Sequence, residues 1–216
     1  MSDSSMLAVA ARLAAELRFG AVVNLGRGLP TLVASALPPD ADIIFQSENG
    51  IVGVGPAAES ADADPSITDA SKRPVTLKPG AALFDLGAAF DMIRGGRIDL
   101  AVLGAFEVST GGDLANYAGT DASLPPAVGG AMDLAAGARE VWVLMRHQDR
   151  DGRPKIVDRC SLPLTAVGVV RRVFTEFMTL DIPASGQPSL MWQDPLLSSS
   201  ELRALLPPSL KMSLER

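Results

Sequence analysis

Glu48 is the residue with the most chemistry to offer in this chain. It follows Ile43-Ile44-Phe45, a β-branched and aromatic run that reads as a buried strand. Behind it come Asn49-Gly50 and the glycine-rich Ile51-Val52-Gly53-Val54-Gly55-Pro56. A carboxylate at the exit of an apolar strand is costly unless the backbone must turn sharply there or the group itself works. Strand exits are also where open α/β sheets hold their ligands. Residue type and position therefore leave two readings open, a functional carboxylate and a structural turn.

Two glycine turns offer the complementary chemistry. Gly26-Arg27-Gly28-Leu29-Pro30-Thr31 leads from an apolar strand into a helix, and Gly129-Gly130-Ala131-Met132-Asp133-Leu134 opens another. Such turns present free N–H groups to an anionic or carbonyl oxygen. The first lacks the third glycine of a dinucleotide fingerprint. The remaining candidates are weaker. His147, the only histidine, sits beside Gln148, Asp149 and Arg150 in what reads as a solvent-facing turn, so a structural role is expected. Cys160 has no base near it in sequence and reads as a buried, inert thiol. Glu59, Asp62, Asp64 and Asp69 are too irregularly spaced for a metal site and read as a solvated loop; no metal is expected.

The elements that must position these groups follow from the hydrophobic pattern. An amphipathic helix is expected over 6–18, with strands at 21–25, 43–45, 98–103 and 141–145. Helices are expected from Pro30 to Leu37, from Phe84 to Ile93 and after Gly130. Residues 72–77 read as an edge strand ended by a Lys78-Pro79-Gly80 turn, and Arg150–Arg153 as a hairpin turn into Lys155-Ile156-Val157. Residues 167–178 read as a strand or a strand–helix junction. Beyond 182 only Glu201–Leu206 looks helical, with Ser200 as its cap, and the tail reads as peripheral. The expected fold is α/β, a single domain with a mostly parallel open sheet flanked by helices: residues 1–182 as the catalytic unit and 183–216 as a divergent tail packed on it.

At 216 residues the chain can bury a full core, and 47% hydrophobic with 20% charged residues is the composition of a folded globular protein. A net charge of -6 argues against nucleic acid as partner. One cysteine permits no internal disulfide. Arg12 interrupts the apolar N-terminal stretch, and no run is long enough to span a bilayer, so neither a signal peptide nor a membrane anchor is expected. A cytoplasmic setting is expected.

Taken together, Asn24-Leu25-Gly26-Arg27-Gly28-Leu29-Pro30-Thr31, Ser47-Glu48-Asn49-Gly50, Met92-Ile93-Arg94-Gly95-Gly96, Gly112-Asp113-Leu114-Ala115-Asn116 and Gly129-Gly130-Ala131-Met132-Asp133-Leu134 resemble, in order and spacing, the B (beta) subunit of the 3-oxoacid coenzyme A transferases. The resemblance covers about residues 6 to 182. It implies a ping-pong transfer of CoA between two carboxylic acids, with Glu48 as nucleophile and a glutamyl-CoA thioester as intermediate. It further implies Gly129 and Gly130 as oxyanion turn, Asn49 and Gly50 as the turn that aims Glu48, and Gly26, Arg27, Gly28, Gln46 and Ser47 close to substrate or CoA. Coenzyme A enters as substrate, not as a permanently bound cofactor. A separate A (alpha) subunit is expected, in a heterodimer or an A2B2 heterotetramer.

The segment 119–128, together with His147-Gln148 and Asp151-Gly152, resembles the 3-oxoadipate branch, which takes CoA from succinyl-CoA; acetoacetate or another 3-oxo acid is the alternative acceptor. Arg27 stands where that family usually has an aliphatic residue, Tyr117 where it has tryptophan, and Arg97 where it has histidine. An acyl-CoA hydrolase using the same glutamate, a sugar-phosphate isomerase and a non-catalytic assembly protein are the rival readings.

Overall fold

The structure is a computed structural model, and it describes residues 3–38, 40–58, 63–69, 71–119, 126, 128–185 and 187–213. In chain order the elements are α1 (Asp3–Ala14), β1 (Val22–Leu25), α2 (Leu32–Ala36), β2 (Ile44–Ser47), β3 (Ile51–Ala57), β4 (Val75–Leu83), α3 (Leu86–Arg94), β5 (Leu100–Leu103), β6 (Glu107–Ser109) and β7 (Leu114–Ala115). There follow α4 (Ala131–Gly137), β8 (Glu140–Leu144), β9 (Ile156–Val157), β10 (Val170–Phe174), β11 (Met178–Asp181), β12 (Ser189–Gln193), α5 (Ser199–Leu205) and α6 (Pro208–Ser213). A 3-10 turn, Leu29–Thr31, leads into α2, with Pro30 at its start, where a missing N–H does no harm.

Nine described strands form one sheet in the order β12-β11-β10-β8-β5-β1-β2-β3-β4. The five at its centre, β10-β8-β5-β1-β2, run parallel, and antiparallel strands extend it on both sides. β7, β6 and β9 form a separate small sheet. From β1 the chain first moves to β2 on one side and later to β5 on the other. The carboxyl ends of β1, β2 and β5 therefore lie at a topological switch point.

Alternation along the central strands divides the core into two layers. Leu100 and Val102 of β5, with Trp142 and Leu144 of β8, face a cluster built on Met6, Leu13, Val23, Val33 and Phe45 under α1 and α2. Ala101, Leu103, Val141 and Val143 face the opposite cluster, with Ile93 of α3 and Leu134 of α4. Every residue of β5 is buried, as expected for a strand covered on both faces.

Several expectations need correction. The first helix ends at Ala14, not Arg18. The glycine-rich segment behind Glu48 is strand β3, and β4 runs through Lys78-Pro79-Gly80 to Leu83, absorbing them where its register against β3 shifts. The hairpin turn at Arg150–Arg153 is present, with Gln148 paired antiparallel to Pro154, but the strand it leads into, β9, then pairs in parallel with β6. Residues 170–181 are an antiparallel strand pair.

The tail is not peripheral. β12 is the outermost strand of the main sheet, and Leu202, Leu206 and Leu210 are buried in the core. Ser198, not Ser200, caps α5, in a capping box with Glu201. His147 is fully buried rather than solvent-facing: its backbone N–H donates to Glu176 at 2.9 Å, and its Nε2 lies 3.3 Å from the Leu205 carbonyl. Burial lowers its pKa. The thiol of Cys160 is half-buried and pushed up to about 11, first by burial and then by Glu107 and Asp113, so it is inert near neutrality. Glu59, Asp62 and most of the 119–128 segment lie outside the described residues.

Candidate active site

Glu48 stands at the tip of the β2–β3 hairpin. Ser47 pairs with Ile51 across a three-residue loop, and Gly50 N–H donates to the Ser47 carbonyl at 3.0 Å. Gly50 closes the loop at φ 107°, and a Cβ there would collide with the Phe84 carbonyl. Glycine is thus required at 50 for torsion and for space. Two further hydrogen bonds fix the tip. Phe84 N–H donates to the Gly50 carbonyl at 2.8 Å, and Asn49 Nδ2 donates to the Thr68 carbonyl at 2.8 Å. The hairpin is anchored to both the start of α3 and the loop before β4.

The glycine turn at 129–130 meets this tip from across the sheet. Gly129 adopts φ 52° with open space around it, while Gly130, the N-cap of α4, has an ordinary φ of -80°. What Gly130 requires is room: a Cβ there would overlap the Glu48 carboxylate at Oε2 and stand 3.3 Å from the Phe90 ring. The two glycines serve different ends, the first bending the chain and the second admitting the carboxylate. The first N–H groups of α4 have no acceptor within the helix, and that of Ala131 donates to the Val128 carbonyl at 3.3 Å.

The electrostatic setting of Glu48 is mixed. Burial raises its pKa, Arg27 opposes that rise, and Asp133 in the first turn of α4 adds to it. Asp133 is itself held by Arg94 Nε at 2.7 Å. Arg27 is exposed on the loop after β1. That loop is brought beside Glu48 by the parallel register that pairs Asn24 with Gln46. Gly26 lets β1 ride closely on β5: its N–H donates to the Val102 carbonyl at 2.8 Å, and a Cβ would lie 3.1 Å from that oxygen. Gly28 takes φ 81°, and its carbonyl accepts from the Thr31 hydroxyl at 2.7 Å.

Gln46, 2% exposed, accepts from Asn24 Nδ2 at 2.5 Å, and its Nε2 has no partner among the described residues. Ser47, 6% exposed, also has an unpartnered hydroxyl among them; strand alternation turns it to the Phe45 face, away from α4. Glu48, Asn49, Gly50, Gly130 and Arg27 thus converge at the switch point, Gln46 supports them from below, and Ser47 looks the other way. Phe84, Phe90, Asn24 and Asp133 complete the surroundings. Their types carried no signal, because each acts through tertiary proximity that chain spacing does not reveal. Among the described residues no three His, Cys, Asp or Glu side chains are grouped to hold a metal ion. No described helix is long and apolar enough to cross a membrane.

Comparison with known proteins identifies the family of the chain. The family profile described as Coenzyme A transferase matches residues 6–190. The chain is 47% identical over 179 residues to the B (beta) subunit of the 3-oxoadipate CoA-transferase of Pseudomonas putida, covering 82% of this chain and 83% of that one. It is also 47% identical over 176 residues to the B (beta) subunit of the succinyl-CoA:3-ketoacid coenzyme A transferase of Helicobacter pylori, covering 81% and 83%. Among solved structures, an acyl-CoA transferase of Escherichia coli O157:H7, YdiF, in a thioester complex with CoA, superposes with a TM-score of 0.71 at 20% identity. The match covers 94% of this chain but only 40% of YdiF, and at that identity it speaks for the fold alone. The chain belongs to the coenzyme A transferase family, as an enzyme subunit of the B, or beta, type.

Proposed function

We propose that this chain supplies the nucleophile of a heteromeric CoA-transferase that moves CoA from succinyl-CoA to a 3-oxo acid, with 3-oxoadipate as the acceptor. The contact between the Glu48 carboxylate and Gly130 carries this reading. It sets a half-buried carboxylate against a glycine turn at a helix start, the kind of turn that can offer backbone N–H groups to a developing oxyanion.

In the proposed cycle a Glu48 oxygen attacks the thioester carbonyl of succinyl-CoA. The C–S bond breaks, leaving a glutamyl–succinyl anhydride and the CoA thiolate. The thiolate attacks the Glu48 carbonyl carbon, releasing succinate and forming the glutamyl-CoA thioester. The acceptor's carboxylate then attacks this thioester, expelling the thiolate and forming a second anhydride. Attack of the thiolate on the acceptor's acyl carbon yields the new acyl-CoA and restores Glu48. Each tetrahedral intermediate bears one oxyanion, for which the Gly130 N–H is the proposed donor, with Gly129 shaping its approach. Asn49 and Gly50 hold the tip in line, since a weak nucleophile depends on fixed geometry. Arg27 opposes the rise that burial gives the Glu48 pKa and so favours its ionised form.

The two relatives named above are themselves B (beta) subunits, which supports a companion A (alpha) subunit and a shared site, in a heterodimer or an A2B2 assembly working in the cytoplasm. No permanently bound cofactor is needed. The experiment is to mix the chain, co-purified with its partner, with succinyl-CoA and read the intact mass of each protein in the complex. A CoA adduct on Glu48, discharged by 3-oxoadipate, is the expected result. Discharge by acetoacetate instead would move the acceptor, discharge by water alone would make the protein a hydrolase, and no adduct on a folded complex would end the covalent reading.

A further inference from the structure

Arg27 and Asp133, the charged side chains that act on Glu48, are held differently. Asp133 is answered by Arg94 at 2.7 Å, and Arg94 also lies over the Phe90 ring. Arg27 is exposed, and its side chain makes no ion pair or hydrogen bond with a described residue. An unpaired arginine on a protein surface is ordinary. One beside a half-buried carboxylate, at the switch point where such sheets hold their ligands, is not.

Its position follows from register. β1 and β2 run in parallel with Asn24 opposite Gln46, and neighbouring strands stand about 4.8 Å apart. Arg27 is three residues past Asn24 and Glu48 two past Gln46, so the two leave the sheet side by side. The loop that carries Arg27 is uncrowded: a Cβ on Gly28 would meet nothing within 4 Å. A guanidinium so placed offers a planar fork of donors that matches a carboxylate at two points.

We infer that Arg27 selects dicarboxylic acyl groups, by pairing with the carboxylate at the far end of a chain whose near end is at Glu48. The inference rests on the proposed glutamyl cycle and adds to it a residue that sets specificity. Succinyl-CoA and 3-oxoadipate both carry such a carboxylate, whereas acetoacetate ends in a methyl group. In an extended chain, at about 1.2 Å per bond, that carboxylate lies roughly 4 Å from the reacting carbonyl in succinyl and roughly 6 Å in 3-oxoadipyl. A long, unpaired arginine can follow it over that difference; one fixed in an ion pair, as Arg94 is, cannot. The phosphates of CoA lie at the far end of the pantetheine arm from its sulfur, so a cation beside Glu48 is placed for the acyl group instead.

The test uses the complex co-purified with its partner, loaded by succinyl-CoA to the glutamyl-CoA stage. It is then discharged with 3-oxoadipate or with 3-oxohexanoate, the same chain ending in a methyl group. The pH is set well above the acid limb of Glu48, so that the nucleophile is ionised in every variant. The expected wild-type preference for 3-oxoadipate is about ten- to a hundredfold in kcat/KM, carried mainly by KM, as one bidentate charge-assisted pair provides. Arg27→Met should remove that preference, and Arg27→Lys, which keeps the charge without the fork, should retain only part of it. The preference for succinyl-CoA over butyryl-CoA as donor should fall in parallel. A preference that survives Arg27→Met, or a wild type that discharges with both acids equally, would overturn the inference and leave the glutamyl cycle standing. Weaker binding of free CoA in Arg27→Met, with the preference intact, would assign the arginine to CoA and overturn it as well. Failure of the wild-type complex to form any adduct ends the glutamyl reading itself, and this inference with it.

Discussion

The carboxylate of Glu48 occupies the space that a side chain on Gly130 would fill. The obstructed atom is the far end of a flexible side chain, so Gly130→Ala should fold normally and displace Glu48 instead. A displaced nucleophile should cost about a hundredfold in kcat. Urea unfolding and steady-state transfer kinetics on the same preparation check both halves: an unchanged midpoint with lost turnover is expected.

The pH dependence of the reaction should respond to two neighbours in opposite directions. In the proposed cycle Glu48 must be ionised to attack, and its pKa is raised above the ordinary 4.5, so the acid limb of kcat/KM should lie above that value. Arg27→Met removes the charge that lowers the Glu48 pKa and should move the limb to higher pH. Asp133→Asn removes a charge that raises it and should move the limb to lower pH. A pH–rate profile of the three proteins decides. Shifts of the same sign in both variants would count against Glu48 as the titrating group.

The hairpin tip is predicted to be sensitive at its closing glycine and tolerant next to it. Gly50→Ala meets both a left-handed torsion and the Phe84 carbonyl, and should cost about 2–3 kcal/mol. Asn49→Ala loses one exposed side-chain hydrogen bond to Thr68, worth about 1 kcal/mol, while turnover falls further than stability because the tip loses its tether. Denaturation midpoints and kcat, measured together, separate the two effects.

The tail should behave as core. Leu202 is 2% exposed among the residues of the main cluster, so Leu202→Ala should cost about 2–4 kcal/mol, read from urea unfolding. A peripheral appendage would lose almost nothing.

His147 makes the anchoring of α5 pH-dependent. Burial lowers its pKa below the ordinary 6.5, so the unfolded chain takes up a proton that the folded one refuses. That contribution is fully present above pH 6.5 and is lost as pH falls toward the folded value, with a limiting slope of about 1.4 kcal/mol per pH unit. His147→Gln should flatten the difference between midpoints at neutral and mildly acid pH.

The parts legible in sequence were those written in local pattern. Apolar runs marked β1, β2, β5 and β8, and glycine turns marked the openings toward α2 and α4, because burial on two faces and positive φ leave residue-type signatures. Glu48 was legible for the same reason, as a charge where burial disfavours one. β3 was missed because Gly53, Gly55 and Pro56 read as loop. Gly53 is instead required at φ 88°, and a Cβ on Gly55 would strike Thr76 on the neighbouring strand. β12 and the buried leucines of the tail were missed because an edge strand of five half-exposed residues has no strong period. His147 was misplaced because its polar neighbours face outward while it turns inward to Thr175 and Leu205, a choice only the tertiary fold makes.

Glu48 and the glycine turn that meets it come from distant parts of the chain. During synthesis Glu48 emerges on its hairpin long before Gly130, and the strand that bridges the two halves of the sheet, β5, is made in between. Domains fold as units once their sequence is available. A nascent or truncated chain without α4 therefore carries Glu48 as an ordinary, hydrated glutamate. The half-buried setting of the carboxylate against Gly130 exists only once α4 docks, so under the proposed function completion of the fold is itself the step that arms it.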